Sequence, residues 1–180
     1  MTINEFLEID NNFNEAMFLT KVNNIFVKLY TAIMLNELAD VKHFISEDIY
    51  NFYQNKINEL DKIGQRQMYD EINVKNSSIK FIDIDDSKYV INVYLEARYM
   101  DYILDLETGD CISGRDDNRI QVNYELRFIR DKEILNQSIV RRCSGCGAPM
   151  DINCDGKCNY CGAIYNLSDY DWILDSINIV

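Results

Sequence analysis

Residues 89–106 read YVINVYLEARYMDYILDL. From Tyr89 to Tyr99 the apolar side chains Tyr89, Ile91, Val93, Leu95, Ala97 and Tyr99 fall on alternate positions, and Asn92, Glu96 and Arg98 take the other face. A period of two marks a strand with one buried face. At Met100 the parity changes, because the next apolar residues are Met100, Tyr102 and Leu104. One extra residue moves every later side chain to the opposite face, so the slip predicts a β-bulge or sharp bend near Met100 and Asp101.

Working outward, residues 120–128 alternate Ile120, Val122, Tyr124, Leu126 and Phe128 with Gln121, Asn123, Glu125 and Arg127, which predicts a second strand. Shorter strands fit 72–74 running into 79–84, and 138–142. Upstream the period approaches four. Val22, Ile25, Phe26, Leu29 and Ile33 form one stripe of a long helix expected from about residue 12 to before Asp40, with Phe13 and Met17 extending the stripe backward. Asp40 is placed to cap a short second helix through Phe44. Ser46, followed by Glu47 and Asp48, opens a third helix that buries Ile49, Phe52, Tyr53, Ile57 and Leu60 and stops at Gly64.

Downstream the same phrase occurs twice, Arg142-Cys-Ser-Gly-Cys-Gly147 and Lys157-Cys-Asn-Tyr-Cys-Gly162. Each C-x-x-C-G turn puts two sulfurs on one side of a tetrahedral ion, and its glycine can take positive φ so that backbone N–H groups face the thiolates. Cys143, Cys146, Cys158 and Cys161 are therefore expected to hold one structural zinc, with iron as the runner-up metal. Four thiolates leave no open position for a catalytic water. Cys154 sits in the turn Asn153-Cys-Asp-Gly156 without a C-x-x-C partner and is left out of the ligand set, and Cys111 is read as a reduced thiol.

The only proline and four of the seven glycines fall between residues 143 and 162, which puts a domain boundary near residue 141. Residues 1–140 suit one ordinary domain. Residues 141–180 are too few for a self-sufficient core, and zinc binding, worth on the order of 10 kcal/mol of folding free energy, supplies what burial cannot. Arg141, Arg142 and Lys157 flank the thiolates and offset their excess negative charge. Net charge is −12, with acidic side chains in excess on both sides of the boundary. No basic patch survives to displace counterions from phosphates, so nucleic acid is not an expected partner. No apolar run approaches the roughly 18 residues that span a bilayer. Together with the lack of a signal-peptide pattern, this makes the expected location cytoplasmic.

Three helices followed by a long, bent antiparallel sheet predict an α+β protein that resembles the cystatin and nuclear-transport-factor-two-like cone. Within that superfamily the segment FLTKVNNIFVKLYTAIMLNELADVKHFISEDIYNFYQ, the strand pair YVINVYLEARYMDYILDLETG and RIQVNYELRFIR, and the ending IVRRCSGCGAPMDINCDGKCNYCGAIYNLSDYDWIL resemble one group. They are similar to the Tim-forty-four-like (Tim44-like) domain in its bacterial version with a C-terminal zinc ribbon, over about residues 12–175. The resemblance implies a curved sheet wrapped around its helices, an apolar cavity open at one end, and a ribbon attached. Mitochondrial members are peripheral membrane scaffolds that tether a chaperone and receive incoming chains. The acidic balance here differs from theirs, so the architecture is what carries over.

The reading is a non-enzymatic binding or scaffold protein whose cone holds an apolar small molecule, a lipid chain or a protein segment. The ribbon serves as a cap or protein-docking surface, and peripheral membrane contact stays open. Tyr89, Tyr99, Tyr102 and Tyr124 fall on the buried face, where phenols either line a pocket or pack between sheet and helices. The alternative is an isomerase or dehydratase-like enzyme using the same cavity, for which His43 and Asp101 are the available groups. No catalytic residue is assigned. Trp172, the single tryptophan, is expected to pack against the cone or the ribbon, and residues 167–180 read equally as helix or strand.

Overall fold

The computed structural model describes residues 1–85, 87–132, 146, 148, 158, 160–162 and 172–180. Expectations for the 138–142 strand, for the turn around Cys154 and for the boundary near 141 lie outside the described residues. The helices are α1 (Ile3–Ile9), α2 (Glu15–Leu35) and α3 (Glu47–Lys62), with a 3-10 turn at Leu38–Val41. The strands are β1 (Gln65–Ile84), β2 (Lys88–Asp105), β3 (Cys111–Asp131) and β4 (Ile173–Ile179), joined in the order β1-β2-β3-β4 with every pairing antiparallel. The fold is α+β, with helices packed on a curved four-stranded sheet.

Sequence patterning accounts for most of this. In α2 the residues Phe18, Val22, Ile25, Phe26, Leu29 and Ile33 are buried along one stripe, and Asn14 caps its start by accepting from the Met17 N–H at 2.9 Å. Met17 is 73 % exposed, contrary to the expected stripe, because it lies about 140° round the helix from the stripe's centre. Phe13 precedes the helix and packs through the connecting turn, edge-on to Phe6 at 5.1 Å. Asp40 caps nothing. It lies inside the 3-10 turn, whose entry has no side-chain hydrogen bond. Ser46 does cap α3, accepting from the Ile49 N–H at 3.3 Å, and Gly64 follows the helix at φ 69°. Phe52 is 64 % exposed at the margin of the α3 stripe and rests edge-on against Tyr53.

The parity slip in β2 is a register shift between Tyr99 and Asp101, as the sequence predicts. Gly114 of β3 passes close to this point at φ 80°, and a methyl there would lie 2.2 Å from the Asp101 carbonyl oxygen. Only glycine allows the two strands to approach so closely. β1 is one strand of 20 residues where shorter ones are expected, because shifts at Asp70/Asn73, Val74/Asn76 and Ile79/Phe81 break its alternation. β3 begins nine residues earlier than its alternation does, and its first half is exposed.

The tail resolves as a strand. β4 pairs with β3 from Tyr124–Ile179 to Ile129–Ile173, and its other edge meets the turn before α3, where the Ser46 N–H donates to the Leu174 carbonyl at 2.8 Å. Trp172 is 4 % exposed and stands edge-on to Phe18 at 5.4 Å and Phe6 at 6.2 Å. The Arg130 guanidinium lies 4.5 Å from its ring centre and 5.6 Å from that of Tyr89, and it donates to the Asp10 carboxylate at 2.7 Å. The end of α1, the end of β3 and the start of β4 thus share one buried ion pair.

Candidate metal centre and the tyrosine cluster

The three sulfurs of Cys146, Cys158 and Cys161 lie within 4.8 Å of one another. The Cys146 and Cys158 sulfurs are 3.8 Å apart. Two thiolates bound to tetrahedral zinc at about 2.3 Å stand about 3.8 Å from each other, so the spacing is that of a ligand pair. The second C-x-x-C-G turn is built as its sequence requires. The Tyr160 N–H points at the Cys158 sulfur at 3.4 Å, the Gly162 N–H donates to the Cys158 carbonyl at 2.9 Å, and Gly162 takes φ 71°. Cys158 is buried while Cys146 and Cys161 are exposed. The donor set fits a metal that prefers soft ligands in a tetrahedron. Cys143, the expected fourth ligand, lies outside the described residues. Cys111 is placed elsewhere, at the start of β3, and its thiol faces the Ser113 carbonyl.

The four tyrosines of the expected pocket do not share one surface. Tyr99 and Tyr124 meet hydroxyl to hydroxyl, and Tyr30 of α2 donates to the Tyr124 hydroxyl at 2.8 Å. Tyr89 lies with Phe6 and Arg130. Tyr102 donates to the Asp70 carboxylate at 2.5 Å across the β1–β2 pair. Sequence patterning missed Tyr30 and Tyr69 as partners of the first two. Tyr69 is 4.6 Å from Tyr30 and 5.6 Å from Tyr99 between ring centres, and Phe26 stacks on Tyr30 at 4.4 Å. Tyr30 follows Phe26 at helical spacing, a usable clue, whereas Tyr69 precedes the part of β1 that alternates.

Burial is the first cause of a raised phenol pKa at Tyr30, Tyr53, Tyr69, Tyr99 and Tyr124, the last being pushed up to about 12. Tyr102 is also pushed up to about 12, chiefly by its bond to the Asp70 carboxylate. A phenol whose pKa is raised by folding stabilises the fold fully below its ordinary value near 10, and that stability is lost as pH rises through the folded values. Of the 12 tyrosines, the five at the centre should ionise only together with unfolding, in one step above about pH 11. Absorbance at 295 nm recorded alongside circular dichroism tests this. Smooth ionisation of all the tyrosines near pH 10 with the fold intact would contradict the buried cluster.

The two acid–base candidates occupy unremarkable places. His43 is half-buried in the turn ahead of Ser46. Asp101 sits at the β2 bulge, where its carboxylate accepts from the Gln67 side-chain amide at 2.8 Å and helps to keep Tyr69 and Tyr99 neutral. Among the described residues no helix is long and apolar enough to cross a membrane.

Residues 1–139 match the family model described as the Tim44-like domain. The match ends before the first cysteine turn. Among solved structures, the chain is similar to the crystal structure of the intermembrane space region of the chloroplast protein ARC6. The likeness has a TM-score of 0.50 at 6 % identity and covers 94 % of this chain and 98 % of that one. At such identity the likeness is one of fold. Among proteins of curated function, none matches the sequence.

Proposed function

The chain belongs to the Tim44-like domain family, a scaffold and binding kind of domain that is not enzymatic, and from that premise we propose that it is a cytoplasmic docking protein stabilised by a structural zinc. Of the apolar occupants that such a cone accepts, a protein segment fits this chain better than a free small molecule or a lipid chain. The observation that carries this preference is the tyrosine cluster. Buried phenols from α2, α3, β1, β2 and β3 fill the space between helices and sheet, with the rings of Tyr30, Tyr69 and Tyr99 in contact and the hydroxyls of Tyr30, Tyr99 and Tyr124 paired, which favours a partner held on the outside of the cone. The ribbon would offer a second docking surface. The enzymatic alternative needs a desolvated acid or base facing a hollow, and Asp101 is instead bound to the Gln67 amide.

The zinc part of the proposal rests on the sulfur spacing and on the hydrogen bond from the Tyr160 N–H to Cys158. Cys143→Ser, Cys146→Ser, Cys158→Ser and Cys161→Ser should each reduce zinc from one per chain to well under half. Cys111→Ser and Cys154→Ser should keep it. Elemental analysis of the purified variants decides between these outcomes, and full occupancy in all four ligand variants would remove the site. Native mass spectrometry of the gently purified protein tests the docking part. One zinc and no retained lipid are expected, and a lipid retained in stoichiometric amount would make the protein a carrier.

A further inference from the structure

Exposure divides the cysteines that are expected to hold zinc. The Cys146 and Cys161 side chains are exposed, Cys158 is buried, and the three sulfurs stand within 4.8 Å of one another. Cys158 also accepts the Tyr160 N–H at 3.4 Å, a bond that stabilises its thiolate and weakens it as a nucleophile. Metal coordination keeps such sulfurs deprotonated, and the thiolate is the form that oxidants attack. A cysteine that is exposed, held as thiolate and adjacent to a second sulfur meets the conditions for reversible oxidation. Cys146 and Cys161 meet all of them, and they come from different turns, so neither turn's backbone fixes the distance between them. Cys111 does not. It is half-buried, its thiol faces the Ser113 carbonyl at 3.6 Å, and it lies outside the sulfur cluster.

Resting on the zinc reading, we infer that this centre is an oxidation switch in which hydrogen peroxide joins Cys146 to Cys161 and expels the metal. The thiolate of one cysteine attacks a peroxide oxygen, the O–O bond breaks, and with one proton the products are a sulfenic acid and water. The second thiolate then attacks the sulfenic sulfur, the S–O bond breaks, and with another proton a disulfide and a second water form. The two sulfurs together lose two electrons and the peroxide gains them, while zinc leaves as Zn²⁺, unchanged in oxidation state. Only two ligands then remain, fewer than a structural site needs. The cone does not depend on this centre for its packing. β4 pairs with β3 from Tyr124–Ile179 to Ile129–Ile173, and Trp172 lies among Phe6, Phe13 and Phe18. What oxidation dismantles is the turn that presents Tyr160, exposed between two of the ligands, so docking through the ribbon becomes sensitive to oxidant.

The experiment treats the full zinc-loaded chain with hydrogen peroxide, following the metal with a chromogenic chelator and the disulfides by peptide mapping without reductant. One zinc should leave for each Cys146–Cys161 disulfide formed, with Cys111 still a thiol when release is complete. Dithiothreitol followed by zinc should restore the metal, and the blue-shifted emission of Trp172 should persist throughout. In the untreated chain, limiting iodoacetamide should label Cys146 and Cys161 several-fold faster than Cys158. Cys111→Ser should release zinc at the same rate as the parent chain. Zinc retained under peroxide that oxidises Cys111, a first disulfide between any other pair, or equal labelling of the three sulfurs would overturn the switch while leaving the zinc site standing. A chain purified without zinc would overturn both.

Discussion

Trp172→Ala should lower the free energy of unfolding by about 4 kcal/mol, in the range for truncating a large aromatic side chain in a core. The ring is 4 % exposed and is enclosed edge-on by Phe6, Phe13 and Phe18, with the Arg130 guanidinium over its face. Truncation removes these aromatic contacts and the cation–π interaction and leaves a hollow where α1, α2 and the sheet meet. Urea unfolding followed by circular dichroism measures the loss, and zinc content should be unchanged in the folded variant. Native emission should be well to the blue of free tryptophan. A solvent-like emission maximum together with an unchanged unfolding midpoint would show that the tail does not dock as described.

Asp10→Ala should cost about 3 kcal/mol, the usual result of removing one member of a buried ion pair. The Asp10 side chain is 4 % exposed and that of Arg130 is 11 % exposed, so the guanidinium left behind has little access to water. Its Nε–H already lacks an acceptor, which leaves no spare partner to take over. Asp10 also accepts from the Asn12 N–H at 3.2 Å, so the turn between α1 and α2 loosens as well. Replacing Asp10 and Arg130 together by apolar residues of similar size should recover much of the loss, because an absent pair costs less than a broken one. Chemical denaturation of the single and double variants gives the coupling. Additive losses in the double variant would mean that the pair does not act as a unit.

Legibility in the sequence followed physical range. The alternation from Tyr89 to Tyr99, its slip at Met100, the Ser46 cap and the Gly64 stop are local, and each appears where the pattern puts it. The second cysteine turn is equally local, since a C-x-x-C-G turn carries its geometry within five residues. Patterns failed where regularity broke or where the decisive contact is distant. Three bulges divide β1 into pieces too short to read as one strand. α1 has only seven residues, and its Thr2/Glu5 capping box was the one available clue. Which of two patterns the tail would follow was settled by β3 and by the turn before α3, not by the tail itself. The assigned faces of Tyr99 and Tyr124 were sound, but the convergence of their hydroxyls with Tyr30 depends on three elements meeting. Arg130 and Asp10 are 120 residues apart, beyond any periodicity.

The placement of β4 bears on how the protein is made. Ser46 is joined both to the Leu174 carbonyl and, through its hydroxyl, to the Asp175 carbonyl 129 residues away. During synthesis, α3 and the outer edge of β3 must wait for residues 172–180 to leave the ribosome, with Phe6 and Phe18 uncovered until Trp172 arrives. Such long-range closure slows the final step of folding and prolongs the exposure of an unpaired strand edge, the condition under which nascent chains aggregate or engage chaperones. The cysteine turns lie in the connection between β3 and β4. Metal capture by the emerging chain would shorten that connection before its last strand docks, making zinc supply a determinant of yield.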